Sequence, residues 1–330
     1  MNKKILLPMI LAFTLLIGAC ATPTPQATAV PTPTTAPTMA PTTLAPTVAP
    51  SPTPLTFTDG LKRTVKLSKP AQRVVSLAPS NTEILFAVGA GKQVVGRDDL
   101  SDYPTEAKSV TSIGSTFKKL NTEAVVTLKP DLVLAANLTP AEQVKSLEDL
   151  GITVYVLGNP KDFDGLYQNL ITVGQMTGHE DEAKKLSESL KTRVKNVTDK
   201  IKNATAKPKV FYELDGSDPI KPWTSGPGTF IDTMITVSGG ENIGKGLKDQ
   251  WAQMSSEEIV KQNPDIIVLG DSNYGITAEK VSARAGWQNI AAVKNKKIFP
   301  FNPDLASRPG PRLVDGLEAM AKVLQPDLFK

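Results

Sequence analysis

The chain has 330 residues, of which 40% are hydrophobic and 21% are charged, a balance typical of a globular protein. Its 37 basic and 33 acidic residues give a formal net charge of +4, without a basic block of the kind that binds nucleic acid. With one cysteine and one histidine, the sequence excludes a disulfide within the chain and a His/Cys cluster for zinc, copper or haem iron.

The first twenty residues predict export and lipid attachment. Two lysines precede an apolar run from Ile5 to Gly18, which has the length of a signal-peptide core and is short for a membrane span. The stretch IGAC then resembles a bacterial lipobox, in which the chain is cut before Cys20 and the thiol carries lipid. The alternative is a short signal anchor with an incidental cysteine. We predict a signal peptide over residues 1–19, whose removal takes two lysines and leaves 35 basic and 33 acidic residues.

A tether follows the cysteine. Residues 21–58 contain no charged side chain and are mostly Thr, Pro and Ala. Such a composition cannot bury a core, and its prolines favour an extended polyproline II path of about 3 Å per residue, on the order of 100 Å in all. We predict a stalk over residues 20–54 that holds a globular part near the membrane to which Cys20 is anchored.

An internal repeat predicts two related α/β lobes. The stretches NTEAVVTLKPDLVLA, from Asn121, and SSEEIVKQNPDIIVLG, from Ser255, each combine a capping residue, a short helix, a Pro-Asp turn and a continuously apolar strand. Continuously apolar strands are typical of parallel sheets covered on both faces. We therefore predict an N-terminal lobe over residues 55–165 and a C-terminal lobe over residues 207–330, each with a parallel sheet.

Other apolar runs supply the remaining elements of this α/β pattern. In the first lobe, strands are predicted at 73–78, 94–98, 131–135 and 152–157, and helices at 81–90 and 140–150. In the second lobe, strands are predicted at 209–214, 265–270 and 296–301, and helices near 228–237, 255–261 and 312–324. The GAGK stretch at 89–92 lacks the first glycine and the Ser/Thr of a phosphate-binding loop.

One long helix is predicted within the linking segment 166–206. Between residues 178 and 203, apolar residues recur at steps of three and four. They are Ala183, Leu186, Leu190, Val194, Val197 and Ile201. A helix of roughly 24 residues would be about 36 Å long, and as a single rigid connection it indicates a clamp that moves little. A coiled coil is the alternative, for which the stripe is short. His179, at the start of this helix, is expected to be solvated rather than catalytic.

The residues from about Leu61 to Lys330 resemble the binding proteins of iron-siderophore, haem and cobalamin ABC importers. The resemblance rests on RVVSLAPSNTEILFAVGAGKQVVGRDDLSDYP, on the two repeat stretches and on WTSGPGTFIDTMITVSGGENI. SNTEILFAVG with SDYP, and TSGPGTF with GGENI, are most similar to the cobalamin-binding branch. The resemblance implies two Rossmann-like lobes joined by one long helix. It also implies an extracytoplasmic monomer without cofactor or enzyme activity, which passes a small-molecule ligand to an ABC permease and its ATPase.

In cobalamin-binding relatives the corrin lies between the lobes, against aromatic and polar side chains. Carried over by position, the resemblance implies that Phe117, Trp223 and Trp251 contact the ring. It implies that Asp304 and Arg308 meet the polar rim of the ligand. Without the resemblance, these two residues would be read as a surface ion pair.

Three further positions are implied at the mouth of the cleft. Ser80 and Asn81 begin the first helix of the first lobe, where free backbone N–H groups point outward. Tyr103 either faces the cleft or packs under the SDYP turn. The third tryptophan, Trp287, is expected in the core because an apolar segment follows it.

The sequence departs from the cobalamin-binding pattern at three aromatic positions. Phe117 replaces a tryptophan, and Leu100 and Ala136 stand where that pattern has aromatic side chains. Fewer large aromatic side chains would therefore surround the ligand, so the ligand could also be a different corrinoid, haem or a siderophore. An anionic siderophore needs several arginines, for which Arg308, Arg312 and Arg97 are the candidates.

Glu123 and Glu257 occupy equivalent positions in the repeat, one in each lobe. In the family, such acids meet arginines of the membrane permease, and we expect the same here. The alternative is that each carboxylate only stabilises the first turn of its helix. An alternative of another class for the whole chain is a hydrolase on a stalk, which would need a carboxylate or a lysine as its base.

Overall fold

The structure is a computed structural model, and it describes residues 54–116 and 120–330. The predicted signal peptide, Cys20, nearly all of the stalk and Phe117 lie outside the described residues. Residues 51–330 form one compact unit, and that unit contains every hydrophobic cluster of the described chain. This part therefore carries its own core and is able to fold by itself. None of the helices in the described ranges is long and apolar enough to cross a membrane.

The described chain begins with a hairpin that the sequence patterns did not indicate. Strands β1 (Leu55–Thr58) and β2 (Thr64–Leu67) pair antiparallel. Asp59 closes the turn, because its Oδ1 accepts the backbone N–H groups of Leu61 and Arg63, each at 2.9 Å. These two strands alternate exposed and more buried residues over only four positions, a weaker signal than the continuous apolar runs of the parallel strands.

The first lobe holds a four-stranded sheet that is parallel throughout, as predicted. Its strands are β3 (Val74–Ser76), β4 (Val94–Arg97), β5 (Leu132–Ala136) and β6 (Val154–Leu157), in the order β4-β3-β5-β6. Its helices are α1 (Pro79–Ala87), α2 (Thr122–Thr127) and α3 (Ala141–Glu148). Asn121 caps α2, since its Oδ1 accepts the N–H of Ala124 at 3.1 Å.

Two packed helices link the lobes: α4 (Phe163–Thr177) and α5 (Glu180–Ile201). The predicted linking helix is confirmed as the 22-residue α5, and its apolar stripe is buried or half-buried. Arg193 on α5 donates to Glu318 of the second lobe at 2.9 and 2.8 Å, and to Asp315 at 2.6 Å. The helix α5 therefore contacts both α4 and the second lobe.

His179 differs from its expected solvated position. It precedes α5 and is half-buried, with Nε2 3.1 Å from Oε1 of Gln93. Gln93 in turn donates to the carbonyl of Ala71 at 2.8 Å and to that of Thr177 at 2.9 Å. The histidine is held by the end of α4 and by the short 3-10 helix Ala90–Gln93 before β4, which lie far apart in sequence.

The second lobe holds a six-stranded mixed sheet. Its strands are β7 (Lys209–Asp215), β8 (Trp223–Ser225), β9 (Glu241–Asn242), β10 (Trp251–Gln253), β11 (Ile266–Leu269) and β12 (Ile298–Pro300). The order is β10-β8-β7-β11-β12, with β9 also on β7. The prediction of a parallel sheet is wrong at one edge, where β8 and β10 run antiparallel. The seven residues between β7 and β8 are too few for the crossover that a parallel pair requires.

Six helices of the second lobe complete the described fold. They are α6 (Phe230–Val237), α7 (Ser256–Gln262), α8 (Ala278–Ser282), α9 (Ala291–Lys294), α10 (Asp304–Ser307) and α11 (Leu313–Leu324). The helices predicted near 228–237, 255–261 and 312–324 are confirmed as α6, α7 and α11.

Both sheets are covered on two faces, which explains their continuously apolar strands. In β5, Leu132 and Leu134 belong to one hydrophobic cluster, whereas the alternate residues belong to another. In β11, Ile266 and Val268 belong to that same first cluster. This cluster therefore runs from one lobe to the other through the linking helices. Trp287 is fully buried in the outer cluster of the second lobe, as predicted.

Candidate ligand-binding site

A cavity of about 460 Å³ lies between the lobes, at the carboxyl ends of the strands of both sheets. The first lobe contributes the segment that follows β3 and the end of β5. The second lobe contributes the ends of β7 and β11 and the start of α10. The crevice outside the carboxyl ends of parallel strands is where open α/β sheets bind their ligands. A larger groove, of about 890 Å³, is lined by the second lobe alone and takes nothing from the first.

Three of the predicted ligand-binding residues line this cavity: Ser80, Asp304 and Arg308. Ser80 is the second residue of α1, and Asp304 is the first residue of α10. Asn81 does not line the cavity. It is buried, and its Nδ2 donates to the carbonyl of Leu134 at 2.9 Å, so this side chain fixes α1 on β5.

The apolar lining comes from side chains that project from loops at both sheets. Leu100 and Ala136, where the cobalamin-binding pattern has aromatic residues, both line the cavity. Leu138 and Tyr274 also line it and are 79% and 81% exposed. Exposure of large apolar surface in a concave site is typical of a surface that a ligand covers.

Sequence reasoning missed Leu138 and Tyr274, although the internal repeat carried a signal for them. Each belongs to the loop that follows the apolar strand of its repeat, β5 or β11. Because the carboxyl ends of the two sheets face one cavity, equivalent loops of the two lobes meet there. The repeat therefore indicates both positions once the strand ends are placed together.

Trp223 and Trp251 lie next to each other on the antiparallel edge of the second sheet. Trp251 pairs with Ser225, and Gln253 pairs with Trp223, so the two indoles are diagonal neighbours on one face. They are 39% and 46% exposed. Neither belongs to the lining of the 460 Å³ cavity. The described residue nearest in sequence to Phe117, Thr116, does line it.

An ion-pair network joins the lobes beside the cavity. Glu83 on α1 accepts hydrogen bonds from Nη2 and Nε of Arg312, at 2.6 and 2.9 Å. Nη1 of Arg308 donates to Asp102 at 2.7 Å, and its Nε lies 2.9 Å from Asp304. The sequence indicated Asp304 and Arg308 as a pair, but it did not indicate Glu83 and Asp102, which belong to the first lobe.

The acids of this network differ in their environment. The side chain of Glu83 is 1% exposed, and burial raises the pKa of its carboxyl against the opposing effect of Arg312 and Arg308. The side chain of Asp102 is 51% exposed. Its partial burial acts to raise its pKa, but the hydrogen bond and the charge of Arg308 outweigh it, so that pKa lies below the ordinary value.

Tyr103 takes part in the contact between the lobes. The guanidinium carbon of Arg312 lies 4.1 Å from the centre of the Tyr103 ring, a cation–π contact. The tyrosine is 46% exposed and is absent from the cavity lining. Arg97, another candidate for anion binding, donates to the carbonyls of Ala107 and Asp98, at 2.9 and 2.8 Å.

Glu123 and Glu257 occupy the second positions of α2 and α7, one in each lobe. Both are exposed, and neither forms an ion pair within the part of the chain that the structure describes. Ser255 caps α7 as Asn121 caps α2, because its Oγ accepts the N–H of Glu258 at 3.2 Å. The helix caps are thus provided by other residues, and the two carboxylates remain available.

Comparison with known proteins gives consistent results. Residues 74–305 match the family model described as periplasmic binding protein. The chain is 38% identical over 284 residues to the uncharacterized ABC transporter substrate-binding lipoprotein YvrC of Bacillus subtilis, covering 84% of this chain and 87% of that protein. It is 31% identical over 281 residues to a cobalamin-binding protein of Halobacterium salinarum, covering 81% and 73%.

A solved structure agrees with the fold. A possible iron-binding, periplasmic solute-binding protein of Staphylococcus epidermidis superimposes with a TM-score of 0.69 at 33% sequence identity. The match covers 78% of this chain and all of that protein. The two lobes, the sheets and the linking helices are therefore an arrangement that a solved relative shares.

Proposed function

Because this chain belongs to the periplasmic binding protein family, we propose that it captures cobalamin or a related corrinoid between its lobes. The chain is the substrate-binding protein of an ABC importer, a non-enzymatic component that acts outside the cytoplasm with a permease and an ATPase. The corrinoid assignment concerns which ligand this importer carries.

The observation that carries the assignment is the composition of the cavity. Leu100, Leu138 and Tyr274 offer exposed apolar surface, and Ser80 and Arg308 offer hydrogen-bonding groups. A corrinoid is a broad, mostly apolar disc with amides along its rim, so it needs this combination. The relative in Halobacterium salinarum, 31% identical, is named a cobalamin-binding protein.

The exposed pair of indoles supports a ligand larger than the cavity. Trp223 and Trp251 present flat apolar surface on the second lobe without occupying the cavity itself. A disc that fills the cavity and extends along the second lobe would cover them. Flat aromatic side chains bury a large area at a low entropic cost.

Delivery requires contact with the permease. We assign this contact to Glu123 and Glu257, which are exposed, free of ion pairs among the described residues and equivalent in the two lobes. A carboxylate on each lobe would fix the orientation of a two-lobed protein on a basic partner surface. We further propose that the lipid on Cys20 keeps this protein, as a monomer, at the membrane.

Haem is the second candidate, because Tyr274 lines the cavity with its side chain largely exposed. A tyrosine oxygen is one of the axial ligands that haem iron accepts. An iron-siderophore is less well supported, since Arg97, Arg308 and Arg312 are all engaged by protein acceptors.

A titration of residues 51–330 with cyanocobalamin tests the assignment. Intrinsic tryptophan fluorescence reports binding, and calorimetry gives the stoichiometry. We expect one-to-one binding at micromolar affinity or tighter, weakened by Leu138→Ala and by Trp223→Ala. Leu150→Ala removes another exposed leucine, 58% against 79% for Leu138, that lies outside the cavity lining, and it is the control. Absence of binding, together with one-to-one binding of hemin that Tyr274→Phe weakens, would replace the corrinoid with haem.

A further inference from the structure

Both arginines beside the cleft are already neutralised by acids of this chain. Arg308 pairs most closely with Asp102 of the first lobe and Asp304 of the second, and it also lies 3.5 Å from Glu83. Arg312 pairs with Glu83 of the first lobe and lies 3.7 Å from Asp304. Within the described ranges, this group of three carboxylates and two guanidiniums carries one net negative charge. A protein that recruits anionic ligands would leave such arginines free.

We propose that Asp102 is a specificity-determining counter-ion, which occupies Arg308 and thereby makes the cleft select ligands without net negative charge. The excluded class comprises carboxylate-bearing tetrapyrroles and anionic iron chelates. The inference deepens the proposed function, because it assumes that the ligand enters this cleft. It does not depend on the ligand being a corrinoid.

The position of Asp102 explains why this acid, rather than Glu83, decides the selection. Glu83 is sealed from solvent with its side chain 1% exposed, whereas the side chain of Asp102 is 51% exposed. Arg308 itself lines the cavity. An arriving anion must therefore displace Asp102 from Arg308 or settle beside a like charge, and either event weakens its binding.

A neutral ligand meets no such obstacle. Arg308 uses Nη1 for Asp102 and, at 3.5 Å, for Glu83, and its Nε lies 2.9 Å from Asp304. Its Nη2 donates no hydrogen bond to any of the described residues. Guanidinium groups carry five N–H donors, so an amide carbonyl of a ligand can accept from Nη2 while Asp102 stays in place. With Asp102 in place, Arg308 can still donate a hydrogen bond to a neutral ligand, but its positive charge is balanced and no longer attracts free anions.

Two matched ligand pairs test the proposal on residues 51–330. Dicyanocobinamide is compared with dicyanocobyrinic acid, which carries carboxylates where dicyanocobinamide carries amides on the same ring, and hemin dimethyl ester is compared with hemin. Affinities are measured by tryptophan quenching at about 20 mM and about 500 mM salt. We expect Asp102→Asn to shift the affinity ratio on the order of tenfold toward the carboxylate form, and the higher salt to reduce this shift.

Two further variants isolate the cause. Asp149→Asn changes the net charge equally at an exposed acid that pairs with Lys145 on α3, and it should keep the wild-type ratio. Arg308→Gln combined with Asp102→Asn should lose the shift, because the cation that attracts the anion is gone.

The outcomes separate this proposal from the corrinoid assignment. Three outcomes would each contradict the counter-ion role of Asp102. They are an unchanged affinity ratio in Asp102→Asn, no binding of either carboxylate ligand by that variant, and a shift in the ratio that persists without Arg308. If the wild-type protein does not bind cyanocobalamin, whereas Asp102→Asn binds hemin more tightly than the wild type does, the corrinoid assignment is wrong and the counter-ion role of Asp102 is supported.

Discussion

The carboxylate of Glu83 in the first lobe accepts two hydrogen bonds from the guanidinium of Arg312 in the second lobe, at 2.6 and 2.9 Å. The two residues are 229 positions apart in the sequence. This bidentate pair is nearly sealed from solvent, with the side chains 1% and 12% exposed. It joins α1 of the first lobe to the residue before α11 of the second lobe, beside the cleft.

Breaking this pair should destabilise the whole unit of residues 51–330. Glu83→Gln leaves Arg312 without its bidentate acceptor in a buried position, and we expect the free energy of unfolding to fall by about 3 kcal/mol. Urea denaturation followed by circular dichroism measures the change. Glu142→Gln, at an exposed acid on α3, is the control and should change the stability little. A loss below about 1 kcal/mol in Glu83→Gln would show that the pair is not a structural clamp.

The permease contact should depend on one acid in each lobe. We expect Glu123→Ala with Glu257→Ala to abolish corrinoid uptake by cells while the affinity of the purified protein for its ligand stays unchanged, because neither side chain lines the cavity. The matched control is Glu142→Ala with Glu279→Ala. These two acids are also exposed, one per lobe, at the second position of a helix. Normal uptake by the first double variant, or equal loss in the control, would contradict the assignment.

The turn of the first hairpin should make stability dependent on acid pH. Burial of the Asp59 carboxyl acts to raise its pKa, but the hydrogen bonds from the side chain and backbone of Arg63 and its charge outweigh this effect. The pKa therefore lies below the ordinary value of 3.8, and the unfolded chain takes up this proton first as the pH falls. The stability that Asp59 contributes is complete above the unfolded pKa and is lost as the pH falls through the folded pKa.

Melting temperatures between pH 6 and pH 2 measure this contribution. The gap between the wild type and Asp59→Asn should be constant above about pH 5 and should narrow below it. Asp149→Asn, whose partner Lys145 is exposed, should show a small gap throughout. A gap between the wild type and Asp59→Asn that widens toward low pH would contradict the assigned direction of the pKa shift.

The contact between α4 and α5 should not tolerate a side chain at Gly174. A Cβ atom there would lie 2.5 Å from the Cβ of Ala183 and 2.8 Å from the carbonyl oxygen of His179. Gly→Ala normally stabilises a helix interior, but here we expect a loss of about 1–3 kcal/mol from overpacking. Gly246→Ala, where nothing lies within 4 Å of the new atom, is the control in thermal denaturation. Unchanged stability in Gly174→Ala would show that the helices can move apart freely.

The strands and helices that repeat between the lobes were predictable because their signals are local. A strand covered on both faces is apolar at every position, as in β5 and β11, and α5 shows its stripe at helical spacing. The strands that escaped prediction are short and belong to antiparallel pairs or to a two-residue bridge. Strands β8 and β10, with three residues each, are set by a short connection and by pairing with one another.

The candidate site was predictable only in part. Ser80, Asp304 and Arg308 were placed at the cleft by resemblance, and the structure puts all three in the cavity lining. Their surroundings were not predictable, since Asp102 is 206 residues from the arginine it holds. The same limit applies to Leu138, whose exposure has meaning only once the two sheets face each other.

The sequence by itself determined the class of fold, the two lobes and the long helix α5 of the linking segment, because hydrophobic periodicity and helix capping act over a few residues. Only the tertiary structure decided how the charges beside the cleft are shared. Asp102 follows β4 in the first lobe and Arg308 follows α10 in the second, so their contact exists only because the two lobes are packed together. An ion pair between lobes depends on separations of a few ångströms, and local sequence patterns carry no information about these.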